Sequence, residues 1–319
     1  MFYGKRFIHR RNRKEKIMSD LLLQTHQLTK KYHEKIAIED ISISVEAGKI
    51  YGFIGENGAG KTTTIRILTG LSKATSGSIE IFGKKSKVEL EKARKKIGCL
   101  VEHPILSLSQ TAKENLKMQS LLYGKSKESN IDSLLERVGL SEVADKKVKD
   151  FSLGMKQRLG IALTLIQEPK LLILDEPTNG LDPMGMVDVR NLLLSLNKKD
   201  GITILISSHI LTELYRLVSD YIIISHGRIV EQVSGQELDR KCSKRIIIES
   251  DQIDRVVRLL QEKLHIQNFE IEGNQMHLFE QTENIRMIAK LIFDARIMIT
   301  KLTSDGITLE EYYMELLRR

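Results

Sequence analysis

The sequence predicts an α/β protein: a parallel core sheet with an antiparallel β-subdomain and an α-helical subdomain, followed by a small α+β domain. Three observations carry this. Strand-length apolar runs alternate with helical stretches from about residue 49 to residue 225, the order that builds a parallel sheet. A glycine-rich loop at Gly55–Thr62 follows one of those strands and opens a helix. All four prolines (Pro104, Pro169, Pro177 and Pro183) lie in the middle of the chain, and the texture changes after Gly235. A length of 319 residues suits two domains. The expected divisions are a basic tail over 1–18, a main domain over 19–235 with its helical subdomain at about 103–165, and an accessory α+β domain over 236–319.

The elements follow in order. Residues 21–46 alternate and turn, as antiparallel strands do; Lys49–Ile54 is a strand, and a helix starts at Lys61. Ser78–Phe82 and Lys96–Glu102 read as strands. Residues 111–165 are mostly helical, with breaks at Gly124 and Gly139. Lys170–Asp175 is a buried-type strand and Met184–Lys198 a helix. Thr203–Ser207, Leu211–Val218 and Tyr221–Ser225 read as strand, helix and strand. Beyond Gly235, strands at 245–249, 269–272, 276–279 and 297–302 are interleaved with helices at 252–264 and 283–295. Gly273-Asn274 marks the hairpin, and Leu309–Leu317 is a final helix. The β-α-β-β-α-β order suggests a ferredoxin-like unit.

Composition excludes several classes. With 41% hydrophobic and 29% charged residues, the chain reads as folded. Cys99 and Cys242 are too few and too far apart for a disulfide framework or a zinc site, and read as thiols in a reducing compartment. No run of 18 apolar residues predicts a membrane span, and the basic start is not followed by the apolar stretch of a signal peptide. The net charge of +8 invites a nucleic-acid reading, but residues 1–17 hold seven basic side chains against Glu15, leaving only +2 for the rest. That tail is expected to be disordered, with Met18 as an alternative start, and no nucleic-acid partner is expected.

Gly55-Glu56-Asn57-Gly58-Ala59-Gly60-Lys61-Thr62 fits the phosphate-loop pattern in the strand–loop–helix context it requires. Its glycines let backbone N–H groups surround phosphate oxygens at a helix N-terminus. Lys61 can reach the β- and γ-phosphates, and the Thr62 hydroxyl can ligate Mg²⁺. Leu171–Leu174 then runs into Asp175 and Glu176, 114 and 115 residues after Lys61, at a strand's C-terminal end where α/β sheets bind ligands. Asp175 suits Mg²⁺, reached through water or Thr62, and Glu176 suits positioning or deprotonating an attacking water. Phe151–Arg158 opens another helix, with Ser152 a good N-cap and Gly154 permitting close backbone approach.

Over residues 20–235 these motifs, in this order, resemble the ATP-binding subunit of ABC transporters. The resemblance implies ATP and Mg²⁺ as ligands, with Thr63 closing the phosphate loop. Phe151–Met155 resembles the family signature; it keeps Ser152 and Gly154 but has Leu153 and Met155 where the pattern has Gly and Gln. Asn179–Asp182 resembles the D-loop, ending in Asp182. His209 resembles the switch histidine, and Tyr32, 29 residues before Lys61, the aromatic that stacks on adenine. Glu102, 41 residues after Lys61, stands where the family usually has the Q-loop glutamine. That Glu, the Ser-Leu-Gly-Met-Lys-Gln-Arg signature form and the terminal 307–313 segment are similar to the bacitracin-resistance and lantibiotic-immunity group. An acidic side chain at Glu102 can accept from water or help hold Mg²⁺.

The resemblance implies a peripheral ATPase on the cytoplasmic face of the membrane. It would power a separate integral-membrane permease that exports peptide antibiotics. It also implies a head-to-tail homodimer that sandwiches ATP between one chain's phosphate loop and the other's Ser152 and Gly154. The rival is a soluble ABC-type ATPase acting on ribosomes or DNA. Such relatives usually carry two cassettes or long coiled-coil or zinc insertions, whereas this sequence has one phosphate loop, no heptad run and no Cys cluster.

Overall fold

The computed structural model describes residues 21–125, 131–215, 217–242 and 244–318. The expectation for the basic tail lies outside them. The chain forms two compact units, one ending at Gly235 and the other beginning at Gln236.

In the first unit, β1 (Leu21–Tyr32) pairs antiparallel with β2 (Lys35–Ile41), β3 (Ser44–Glu46) and β5 (Ser76–Ile81). The second sheet runs β10 (Arg228–Ser234), β9 (Asp220–Ser225), β4 (Ile50–Ile54), β8 (Thr203–Ser208), β7 (Leu171–Leu174), β6 (Ile97–Leu100). All its pairs are parallel except β10 with β9. Every residue of β4, β7 and β8 is buried, as strands covered on both faces must be, and this explains the apolar run of β7 and the Ile204–Ile206 centre of β8. Phe53, Leu171, Ile173, Leu205, Ile222 and Ile224 join one core cluster with Ile65 and Leu68 of α1 (Lys61–Thr69). Parallel register sets Ile54 beside Ser208 and Leu174 beside Ile206, so the chain leaves β4, β7 and β8 at one edge.

Helix boundaries follow local chemistry. α2 (Lys87–Arg94), absent from the sequence reading, is capped by Ser86, whose hydroxyl accepts from Glu89 N. In the helical region, α3 (Ala112–Leu122) starts with a Thr111/Glu114 capping box, and α4 (Ile131–Arg137) follows. α5 (Leu153–Leu165) starts at Ser152, whose hydroxyl accepts from Met155 N at 3.2 Å. α6 (Pro183–Asp200) has Asp182 as N-cap and Pro at its first position, and it stops at Gly201. α7 (Leu211–Leu214) is one turn, shorter than the 211–218 expected, although the Leu217 and Val218 amides still bond to Leu214 O. β6 likewise stops at Leu100 rather than Glu102. Strand β10 was also not anticipated.

The division falls at the first residue of α8 (Gly235–Cys242), another unexpected helix. The second unit then follows the expected order: β11 (Arg245–Glu249), α9 (Ile253–Leu264), β12 (Phe269–Glu272), β13 (Gln275–Leu278), α10 (Ile285–Asp294), β14 (Lys301–Asp305), with α11 (Leu309–Arg318) last. Its sheet order, β12-β13-β11-β14, is antiparallel throughout, the ferredoxin-like arrangement. Ile246, Ile248, Met276 and Leu278 pack against Val256 and Leu260 of α9 and Ile288 and Ile292 of α10. β14 begins four residues later than expected. Ile297 joins that core, its amide bonded to Ile292 O, before pairing with β11 starts.

Ile206 is fully buried in the central strand β8. Ile206→Ala is expected to cost about 2–5 kcal/mol. Urea unfolding should show a lowered midpoint with unchanged slope.

Candidate functional site

The parallel sheet delivers three loops to one edge: Gly55–Gly60 after β4, Asp175 and Glu176 after β7, and His209 after β8. The first is shaped by glycine. Gly60 has φ 110°, and a Cβ there would lie 2.6 Å from Ile38 Cγ2 and 3.0 Å from Ala37 O. Gly55 faces Ile224 O, which a Cβ would approach to 2.4 Å. The next helix, α1, has no side-chain cap and no acidic residue in its first turn. Its leading amides and positive dipole end therefore suit an anion.

Lys61, only 5% exposed, donates from Nζ to Gly55 O at 2.6 Å and Glu56 O at 3.1 Å. It also lies 3.2 Å from Glu176 Oε1. The other oxygen, Glu176 Oε2, is 2.6 Å from His209 Nδ1. A carboxylate only accepts, so Nδ1 carries the proton and donates. Lys61, Glu176 and His209, predicted from separate parts of the sequence, thus form one polar chain. Glu176 sits at φ 48°, a left-handed conformation rare outside glycine, and its amide donates to Ser207 Oγ at 2.9 Å. Ser207 donates to Asp175 Oδ1 at 2.6 Å. Sequence reasoning missed Ser207; its only trace is a small polar residue at the end of a buried strand.

Asp175 is 2% exposed, and its amide donates to Leu100 O. Together with the Thr62 hydroxyl it offers the hard oxygen donors that Mg²⁺ prefers. Among the described residues no three His, Cys, Asp or Glu side chains converge as a cage. An ion held here would complete its shell with water and substrate oxygens.

A cavity of about 560 Å³ runs from Tyr32 to the phosphate loop, within the size range of small-molecule sites. Asn57, Gly58, Gly60, Lys61, Thr62, Thr63 and Glu176 line it, while the neighbouring Ala59 is buried. Tyr32 is half-exposed at the end of β1, with the Lys30 ammonium 4.7 Å from its ring centroid. Lys35, Ile36 and His226 also line the cavity and were not foreseen. His226 stands on the β9–β10 turn, which is fixed by Gly227 N donating to Ala59 O and Glu39 N donating to Gly227 O.

Four predicted residues lie elsewhere. Ser152, Gly154 and Asp182 do not line the cavity; Ser152 caps α5, and Asp182 caps α6 by accepting from Gly185 N. Glu102, expected near water or Mg²⁺, lies outside the cavity lining with its side chain half-exposed and paired with the Arg66 guanidinium of α1.

Comparison with known proteins extends the picture. The family described as "ABC transporter" matches residues 38–179. The bacitracin transport ATP-binding protein BcrA of Bacillus licheniformis is 41% identical over 301 residues, covering 93% of this chain and 97% of its own. The lantibiotic transport ATP-binding protein SrtF of Streptococcus pyogenes is 43% identical over 232 residues, covering 72% of this chain and 99% of its own. Among solved structures, the dimeric post-hydrolysis state of the ATP-binding cassette MJ0796 bound to ADP and Pi superposes with TM-score 0.59 at 26% identity. That match covers 67% of this chain and 98% of the other.

Gly60→Ala must relieve both a positive φ and contacts at 2.6 and 3.0 Å. It is expected to weaken ATP binding at least about tenfold, read by titration calorimetry, because the loop amides move off their positions.

Proposed function

The chain belongs to the ATP-binding subunits of ABC transporters, and from that premise we propose that its ATP hydrolysis drives a membrane permease exporting peptide antibiotics of the bacitracin or lantibiotic type. The observation that carries the catalytic reading is the Glu176 carboxylate bridging Lys61 and His209 beside the phosphate loop. The cargo reading rests on BcrA and SrtF, which are named for bacitracin and lantibiotic transport.

In this reading ATP lies with its base against Tyr32 and its phosphates on the α1 amides. Lys61 turns from Glu176 and the loop carbonyls toward the β- and γ-phosphate oxygens. Glu176, released from Lys61 but still oriented by His209, accepts a hydrogen bond from the attacking water. The water oxygen bonds to the γ-phosphorus, the bond to the β–γ bridging oxygen breaks, the water's proton passes to Glu176, and ADP carries away the electron pair. Thr62 and Asp175 would hold Mg²⁺, which supplies charge neutralisation at the phosphate oxygens.

Ser152 and Gly154 belong, on this account, to the site of a second copy. Ser152 is exposed at the start of α5, where helix amides suit a γ-phosphate in trans. Asp182, the N-cap of α6, is assigned to the D-loop of that dimer. The permease is assigned to the helical region, where Ile105, Leu108, Leu121 and Leu122 are exposed. Among the described residues no helix is long and apolar enough to cross a membrane, so the pathway must come from that partner. The chain then works at the cytoplasmic face of the membrane. The ribosome- or DNA-acting alternative is not favoured, because BcrA, matched over 97% of its length, is a transport subunit.

Glu176→Gln should retain ATP binding while turnover falls by at least about two orders of magnitude, and the ATP-bound protein should elute as a dimer. Near-normal phosphate release would remove Glu176 from the chemistry. Deleting the gene should lower the minimal inhibitory concentration of bacitracin or a lantibiotic; unchanged susceptibility to both would contradict the cargo assignment.

A further inference from the structure

Two of the charges described above have no role in the phosphate cavity. Arg66 lies outside the cavity lining, one helical turn beyond Thr62 and on the same face of α1. Its guanidinium pairs with Glu102, and both side chains are about half-exposed. Glu102 has left β6 and holds φ 63°, a conformation that costs a non-glycine residue free energy. The segment it begins leads through Pro104 to the helical region carrying Ser152 and Gly154. The C-terminal end of α1 is held separately: Arg94 donates to Leu68 O and Ile67 O. α1 is therefore tied at its end to α2, and on its Thr62 face to the loop after β6.

We propose that Arg66 is a positioning residue: it neutralises the extra negative charge of Glu102 and holds the loop after β6 against the phosphate-binding helix. This rests on the ATPase reading above and deepens it. The Arg66–Glu102 pair ties the loop without placing either side chain in the cavity lining. The same bond couples any shift of α1 on nucleotide binding to the segment that enters the helical region. Arg66 does not contact ATP in this scheme, so it acts on turnover and not on affinity.

The test is steady-state ATPase kinetics of the full chain with Arg66→Met, Glu102→Gln, both together, and the reversed pair Arg66→Glu with Glu102→Arg. Each single change should lower kcat about twofold to fivefold, the range open to a half-exposed ion pair, with KM for ATP unchanged. The double change should be no worse than the poorer single one, and Arg66→Lys should keep most of the rate. The reversed pair should recover at least half of what Arg66→Glu alone loses. Single variants with wild-type kcat, losses that multiply in the double variant, or no recovery on reversal each overturn the proposal. Lys61→Ala separates the two levels. If it binds ATP normally, the site reading itself fails; if it does not, a negative result at Arg66 concerns the pair alone.

Discussion

The buried ammonium of Lys61 is the constraint around which the first unit is arranged. A charge removed from water is tolerated only when it is paired and hydrogen-bonded. Lys61 meets that need with two loop carbonyls and the Glu176 carboxylate. Each partner imposes a further demand. The carbonyls of Gly55 and Glu56 face inward only because glycines let the loop curl back over α1. Glu176 reaches Lys61 only because the strand before it is parallel to β4 with one strand, β8, between them. His209 and Ser207 then fix the Glu176 side chain and amide.

On the proposed mechanism, the same pairing would give the site two states. Within one chain, Glu176 satisfies Lys61; in the proposed cycle, phosphate oxygens of ATP would compete for the ammonium and free the carboxylate. A ligand shifts an equilibrium only through contacts that differ between states. Here the differing contact is the Lys61–Glu176 pair itself. On the coupling proposed above, Arg66 and Glu102 would carry that change from α1 toward the helical region, whose signature residues a second copy would use.

Legibility in the sequence followed the range of each interaction. The phosphate loop was readable because its glycines, Lys61 and Thr62 are contiguous and each has a local backbone reason. Asp175 and Glu176 were readable from an apolar strand ending in two carboxylates. Tyr32 and His209 came from resemblance, since spacing alone cannot bring residues 32 or 209 to residue 61. Ser207 and the Arg66–Glu102 pair escaped because they depend on side-chain positions across strands and loops. In the fold, α2 had a readable cap in Ser86 and Glu89, but its polar sequence lacks an apolar stripe, with Ala93 its only buried residue. The start of β14 was misplaced because Ile297 is apolar for the helix-packed core and not for the strand.

Ser152 and Gly154 do not line the cavity of their own chain, so in the proposed dimer each chain is half of a composite site. Mixing two inactive variants tests this directly. One carries Lys61→Ala and keeps its signature; the other carries Gly154→Asp and keeps its phosphate loop. Each alone should hydrolyse almost no ATP, and the mixture should regain a substantial fraction of wild-type activity, because the mixed dimer contains one intact site. A mixture as inactive as its components, or full activity of Gly154→Asp alone, would contradict the shared site.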